Sequence, residues 1–215
     1  MHQKIECTLF SKLIGEYKEA FELLQYCSLL NPDFISYKLL LEILDNENMN
    51  EKILQQKIEQ LTKLSLILLI DKNEDEGVKI HRLVQEELVN YCKLNENDTS
   101  LIRIESVVEK TMDKLNGLFK KVSNDPKEQR NNEELYLNSL NIYEKHFDKL
   151  NKKNKNIFVA LLNKIINYEL EAEKNYKNIN KKGLKLLEIC ERYYHNDDSN
   201  LAEAFNNIGE SYSKL

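Results

Sequence analysis

Apolar residues recur at steps of three and four along most of this chain, and the places where that rhythm stops divide it into elements. Ala20, Leu23, Leu24, Cys27 and Leu30 share one face of a helix predicted over about 18–30. Asn31-Pro32-Asp33 ends it, because proline disfavours helical backbone in the residue before it, and Asp33 is the expected N-cap of the second helix. That helix, near 34–44, carries Tyr37, Leu40, Leu41 and Leu44 on one side. A polar loop at 45–50 leads to a third helix near 50–64, with Leu54, Ile58, Leu61 and Leu64 turned inward. At Leu66 the period changes. Leu66–Ile70 reads as a strand, DKNEDEG as an acidic turn and Val78–His81 as a second strand that runs straight into another helix.

Beyond Asn95 the pattern is helix after helix. Leu101, Ile104, Val108, Met112, Leu115 and Phe119 form one stripe, and the polar break SNDPKEQRNN separates it from a helix over Leu135–Leu150. Helical patterns then cover about 156–172, 181–194 and 200–215, joined by short Asn-, Lys- and Asp-rich loops. Paired helices with polar connections predict an α-solenoid. The expected fold is therefore mainly α, with a small two-stranded β-hairpin in the first half and stacked helical hairpins behind it.

Helix, strand, acidic turn, strand and helix is the outline of a winged-helix domain. Two phrases, AFELLQYCSLLNPDFISYKLL and LSLILLIDKNEDEGVKIHRLVQEE, resemble the winged-helix segment of NB-ARC-like signalling ATPases of the STAND class, over roughly residues 5–95. The closing phrase LAEAFNNIGESYSKL resembles the first helix of a tetratricopeptide repeat of kinesin-light-chain-like spacing. Phe205, Ile208-Gly209 and Tyr212 stand where that repeat has a bulky residue, an apolar residue with glycine, and tyrosine. There the glycine is expected to let a partner helix approach. An earlier unit echoes it through Leu162, Asn163 and Ile165, with Ile166 in place of the glycine and Glu169 in place of the tyrosine. The resemblances imply three regions: a winged helix over 1–95, a helical spacer or degenerate repeat over 96–150, and tetratricopeptide-like repeats over 151–215, the last one truncated.

What the resemblance implies for function is a regulatory, non-enzymatic module that recognises a protein partner through its helical repeats. In that family a histidine at the end of this strand contacts the β-phosphate of ADP, and His81 occupies the matching position. Many members have Asp next, where this chain has Arg82. The competing reading of His81 is a residue that caps its own helix. A nucleotide enters only if an ATPase core is supplied elsewhere, since the five glycines are isolated and make no phosphate-cradling loop. No resident cofactor is expected.

Composition narrows the classes further. The net charge of −5 argues against wholesale nucleic-acid binding. Residues 108–193 nevertheless hold 18 Lys+Arg against 13 Asp+Glu, a solvated basic face or a surface for an acidic partner. The alternative function is a winged-helix DNA-binding regulator with a helical sensor domain, which would use Lys52, Lys57 and Lys63 on the third helix. That helix has no arginine and the neighbouring turn is acidic, so nucleic acid is the weaker reading. The four cysteines, Cys7, Cys27, Cys92 and Cys190, lie far apart without a CxxC pair and read as reduced core thiols of a cytoplasmic protein. No apolar run reaches the ~18 residues needed to cross a bilayer. His146 and His195 have no partner at metal-ligand spacing. Cys92 and His81 lack the companion residues of a thiol nucleophile. Tyr168, Tyr176, Tyr193, Tyr194 and Tyr212 are the candidate contact residues of the repeats, and core packing competes for half of them. The many asparagines, poor helix formers, read as coding bias rather than a structural requirement.

Overall fold

The computed structural model describes the backbone of residues 2–44, 49–72, 75–95, 103–119, 126–146, 152–173, 176–193 and 199–213, and a smaller set of side chains within them. The protein is mainly helical with one small antiparallel sheet. It divides into two compact units, Met1–Thr111 and Met112–Leu215.

The first unit contains α1 (His2–Glu16), α2 (Lys18–Cys27), β1 (Ile35–Ser36), α3 (Tyr37–Leu44), α4 (Glu51–Lys63), β2 (Ile67–Lys72), β3 (Asp75–Ile80) and α5 (Arg82–Leu94). It also contains the start of α6 (Ile104–Leu118), within which the division falls. Helices α2 and α4 lie within a few residues of where the 3.6-residue period predicts them. Helix α2 buries Ala20, Leu23, Leu24 and Cys27, and α4 buries Leu54, Ile58 and Leu61. Asn50 caps α4 by accepting the Ile53 amide at 3.0 Å, with Glu51 in its first turn and Lys63 in its last, the arrangement that suits a helix dipole. The helix stops through a paired closure. The Ser65 amide donates to the Thr62 carbonyl and the Leu66 amide to the Leu61 carbonyl, with Ser65 in the left-handed region at φ 57°. Phe10, Phe21 and Tyr91 meet in an aromatic cluster with ring centroids 5.3–6.4 Å apart.

The sheet departs from the expected hairpin. It has three strands in the order β1-β3-β2, all antiparallel. Ile67 pairs with Ile80 and Leu69 with Val78, as a hairpin would have it, but Ile35 and Ser36 add a short strand opposite Val78 and Gly77. Two residues inside an apolar, helix-period run cannot be told from the start of a helix, so α3 begins at Tyr37 and not at 34. Its cap also differs from the expectation. Ser36 Oγ accepts the Leu39 amide at 3.1 Å, whereas Asp33 stays outside the helix, its own amide donating to Asn31 Oδ1. Gly77 is required where it stands: a Cβ there would lie 2.6 Å from the Ile35 carbonyl and 2.7 Å from the Phe34 ring.

The second unit contains the rest of α6, then α7 (Pro126–His146), α8 (Lys152–Tyr168), a π-helical turn (Glu169–Glu173), α9 (Tyr176–Tyr193) and α10 (Ser199–Ser213). Part of the expected polar break is helical, because Pro126 opens α7, a position where its missing N–H costs nothing. From α7 onward each helix packs on the next, and α8 also meets α10. Val159, Leu162, Ile165, Ile166, Ile179 and Leu186 are fully buried among them. Asparagine belongs to this core too. Asn132, Asn138, Asn163, Asn180 and Asn207 are buried, so the asparagines are not merely a matter of coding bias. Among the described residues no helix is long and apolar enough to cross a membrane.

Candidate functional site

The junction of β3 and α5 carries the site residue singled out from sequence. Ile80 is the last residue of β3 and Arg82 the first of α5, so His81 is the N-cap, with extended backbone at φ −70° and ψ 134°. Its Nδ1 accepts the Leu83 amide at 3.2 Å, and its side chain is exposed. One ring nitrogen therefore holds the helix end and the other, Nε2, faces away from that contact. Both readings of His81 are compatible with this arrangement: it caps its own helix through the Leu83 amide, and it presents an imidazole beside the Arg82 and Val84 amides of the first turn.

Arg82 does not project freely. Its Nη2 lies 3.1 Å from Asp33 Oδ2, and Lys79 Nζ lies 3.5 Å from Asp33 Oδ1. Asp33 thus ties the turn after α2 to the strand–helix junction with two cations. All three side chains are largely exposed, so the triad contributes little to stability and mainly fixes local charge.

Behind the junction lies a residue that sequence pattern does not single out. Gln85 is 1% exposed, and its Nε2 donates to the carbonyls of Cys27 and Leu30 at 2.9 and 2.8 Å. The Cys27 carbonyl is at the C-terminal end of α2, where a helix leaves acceptors without intrahelical partners, and Leu30 follows in the turn after it. Gln85 is therefore the staple that locks α5 to α2. Farther along α5, Cys92 Sγ receives a hydrogen bond from Gln25 Nε2 at 3.3 Å. A glutamine in an amphipathic helix ordinarily reads as solvent-facing; its only sequence signal is its spacing of three from Leu88 on the buried side.

The thiols behave as expected of core groups. Cys27 and Cys92 are free and buried. Burial pushes the Cys27 thiol up to about 12. Cys92 is raised as well, first by burial, with the Gln25 hydrogen bond pulling the other way. The side chains of Cys7, Cys190 and His146, and residue His195, lie outside the described residues. Among the described residues no group of three or more His, Cys, Asp or Glu is placed to hold a metal.

The three lysines of the DNA reading do not form one surface. Lys57 is 9% exposed and paired with Glu19 of α2 at 3.2 Å, which leaves Lys52 and Lys63 at opposite ends of α4.

In the second unit the candidate contact tyrosines separate. Tyr168 is buried, stacked on Tyr136 at 4.8 Å and edge-on to Phe119 at 6.0 Å, so it is a core residue. Tyr212 is 57% exposed, as is Phe205 at 52%. The side chains of Tyr176 and Tyr193, and residue Tyr194, lie outside the described residues. Helix approach depends on a different glycine from the one expected. Gly209 has open space at its Cβ position, whereas a Cβ on Gly183 of α9 would lie 2.6 Å from Ile208 Cγ1 of α10. Beside them runs a polar seam: Glu169, 2% exposed, accepts from Tyr136 at 2.7 Å and from Lys182, while Asn207 Nδ2 donates to Asn163 Oδ1 at 3.4 Å. Lys164 reaches the carbonyls of Asn116 and Phe119 at the end of α6.

Compared with known proteins, residues 12–98 match a family described as a domain of unknown function (DUF7779). The match lies wholly within the first unit and takes in the end of α1 and everything from there through α5. No curated protein and no solved structure matches the chain.

Proposed function

We propose that this chain is a regulatory, non-enzymatic interaction module, with a winged helix as its first unit and tetratricopeptide-type repeats as its second, of the kind that accompanies a STAND-type ATPase. The observation that carries the reading is the sheet. A winged helix runs helix, strand, two helices and a two-stranded wing, with the first strand paired to the last. The series α2, β1, α3, α4, β2, β3 with strand order β1-β3-β2 has that arrangement. His81 comes immediately after it at the N-cap of α5, the place the resemblance gives to a phosphate contact. The consecutive packing of α7 to α10, close at Gly183, supports a repeat array whose surface offers a protein partner somewhere to dock.

Titration calorimetry on the whole purified chain tests this. ADP and ATP alone are expected to give no binding heat, because His81 and the two remaining first-turn amides, Arg82 and Val84, are too few donors without a phosphate loop. Tight nucleotide binding or ATP hydrolysis by the chain alone would reverse the reading. The DNA-binding alternative makes an opposite forecast: salt-dependent association with duplex DNA that Lys52→Glu with Lys63→Glu abolishes. The buried, paired Lys57 disfavours that alternative.

A further inference from the structure

A cleft of about 450 Å³ opens on the first unit between α3, α4 and the start of β3. Its walls reflect helix periodicity. Lys38, Leu41 and Glu42 share one face of α3, and Glu51, Leu54 and Gln55 share one face of α4. Asp75 and Glu76 close the third side, with Ser36 and Tyr37 at the base. Leu41 and Leu54 make an apolar floor, while Glu42, Glu51, Asp75 and Glu76 stand against the single cation Lys38. No ion pair to those four carboxylates forms among the described residues. Tyr37 registers this field: its phenol is raised first by burial and then by the charge of Glu76.

We infer that this cleft docks a basic peptide segment, whose lysine or arginine stems lie on Leu41 and Leu54 while their cationic heads meet the carboxylates of Glu42, Glu51, Asp75 and Glu76. Three features select that occupant. Long cationic side chains carry both an apolar stem and a charged head, which is what an apolar floor inside an acidic rim accommodates. The volume falls in the range of roughly 300–1,000 Å³ typical of ligand pockets, too large for a bare ion. A phosphate backbone would be repelled, so the cleft does not take nucleic acid. Tyr37 adds a ring edge and face to the base, where a guanidinium can lie. The inference does not depend on the repeat-type reading of the second unit, since every group belongs to the first.

The test is fluorescence anisotropy with the full chain and a labelled decapeptide of alternating arginine and leucine. Saturable binding is expected. It should weaken at least ten-fold in the double variant Glu42→Gln with Glu76→Gln, and again in Leu41→Arg, which puts a cation on the floor. The control double variant Glu59→Gln with Glu105→Gln, exposed acids of the same unit outside the cleft, should leave affinity within about two-fold. The glutamine exchanges are nearly isosteric surface changes, so the fold is expected to survive them, and an unchanged melting temperature verifies it. No saturable binding would overturn the inference. Equal weakening by the control pair would also overturn it, because attraction would then depend on net charge alone. Unchanged affinity in Leu41→Arg would do so too, because the apolar floor would have no part.

Discussion

At the scale of single residues, the first unit depends on polar groups placed where water does not reach. Gln85 satisfies the carbonyls of Cys27 and Leu30, and removing it takes that donor away from both. Gln85→Ala is expected to lower stability by about 2–4 kcal/mol, on the scale of one to two uncompensated buried groups, measured by urea unfolding. Gln85→Glu should be worse, because a carboxylate would face two carbonyl oxygens. Cys27 sets a second expectation. Its folded-state thiol is pushed up to about 12 from an ordinary value near 9, so the native state holds the proton more tightly than the unfolded chain. This contribution to stability is therefore complete below about pH 9 and is lost as pH rises towards 12. Stability should fall through that alkaline window, less steeply in Cys27→Ala, and the native thiol should resist thiol reagents at neutral pH. The burial of Cys27 is legible in the sequence, from its place on the apolar face of α2, whereas that of Gln85 is not. A glutamine at helical spacing carries no mark of it, because it is decided by what packs against the side chain.

At the scale of elements, periodicity is a better guide than composition. The apolar steps place α2, α4, the two longer strands and α5 within a few residues, because each buries a single face. They do not reveal β1, whose two residues are shorter than one period of either pattern, or α1, whose mixed residues give a weak stripe. The asparagines depart from the compositional reading for a related reason: in α7 to α10 they bond within the helix layer, as Asn138 does to the Glu134 carbonyl, instead of facing water. Glycine shows how resemblance and packing can part. Gly183→Ala should destabilise the α9–α10 contact by about 1–3 kcal/mol, since Ile208 has to move, and the added cost should largely vanish in an Ile208→Ala background, which lacks the Cγ1 that the new Cβ meets. Gly209→Ala, on an open helix surface, should instead stabilise by about 0.5–1 kcal/mol. Thermal melts of the two alanine variants check the contrast directly. The polar seam gives a further forecast. Lys182→Met leaves the Glu169 carboxylate buried without its cation, at a cost of about 3–5 kcal/mol. Replacing Glu169 by leucine and Lys182 by methionine together should restore most of it, a reversal readable in a double-mutant cycle.

At the scale of the whole molecule, one continuous chain divides into two compact units. Each has its own buried polar locks: Gln85 and Gln25 in the first, Glu169 with Lys182 in the second. Hydrogen exchange should report this. In Gln85→Ala, amides of α2, α4, α5 and the sheet should exchange faster, while those of α8 and α9 keep their protection. The change of character along the chain, hairpin-bearing first and helical afterwards, is legible in the sequence. The acidic cleft is not, because Glu42, Glu51 and Glu76 lie on three elements and meet only after α3, α4 and β3 are packed.

The position of β2 has a practical side. It is the outermost strand of the sheet, paired on one side by β3, and it presents Leu68 and Leu69 more than half uncovered. An outer strand with greasy side chains and an open row of main-chain donors and acceptors invites a stranger's strand when solutions are concentrated or warmed. Cloudiness on storage would begin there, and a glutamate at position 68, opposite Lys79 on the neighbouring strand, is the first change a protein chemist would make to keep preparations clear.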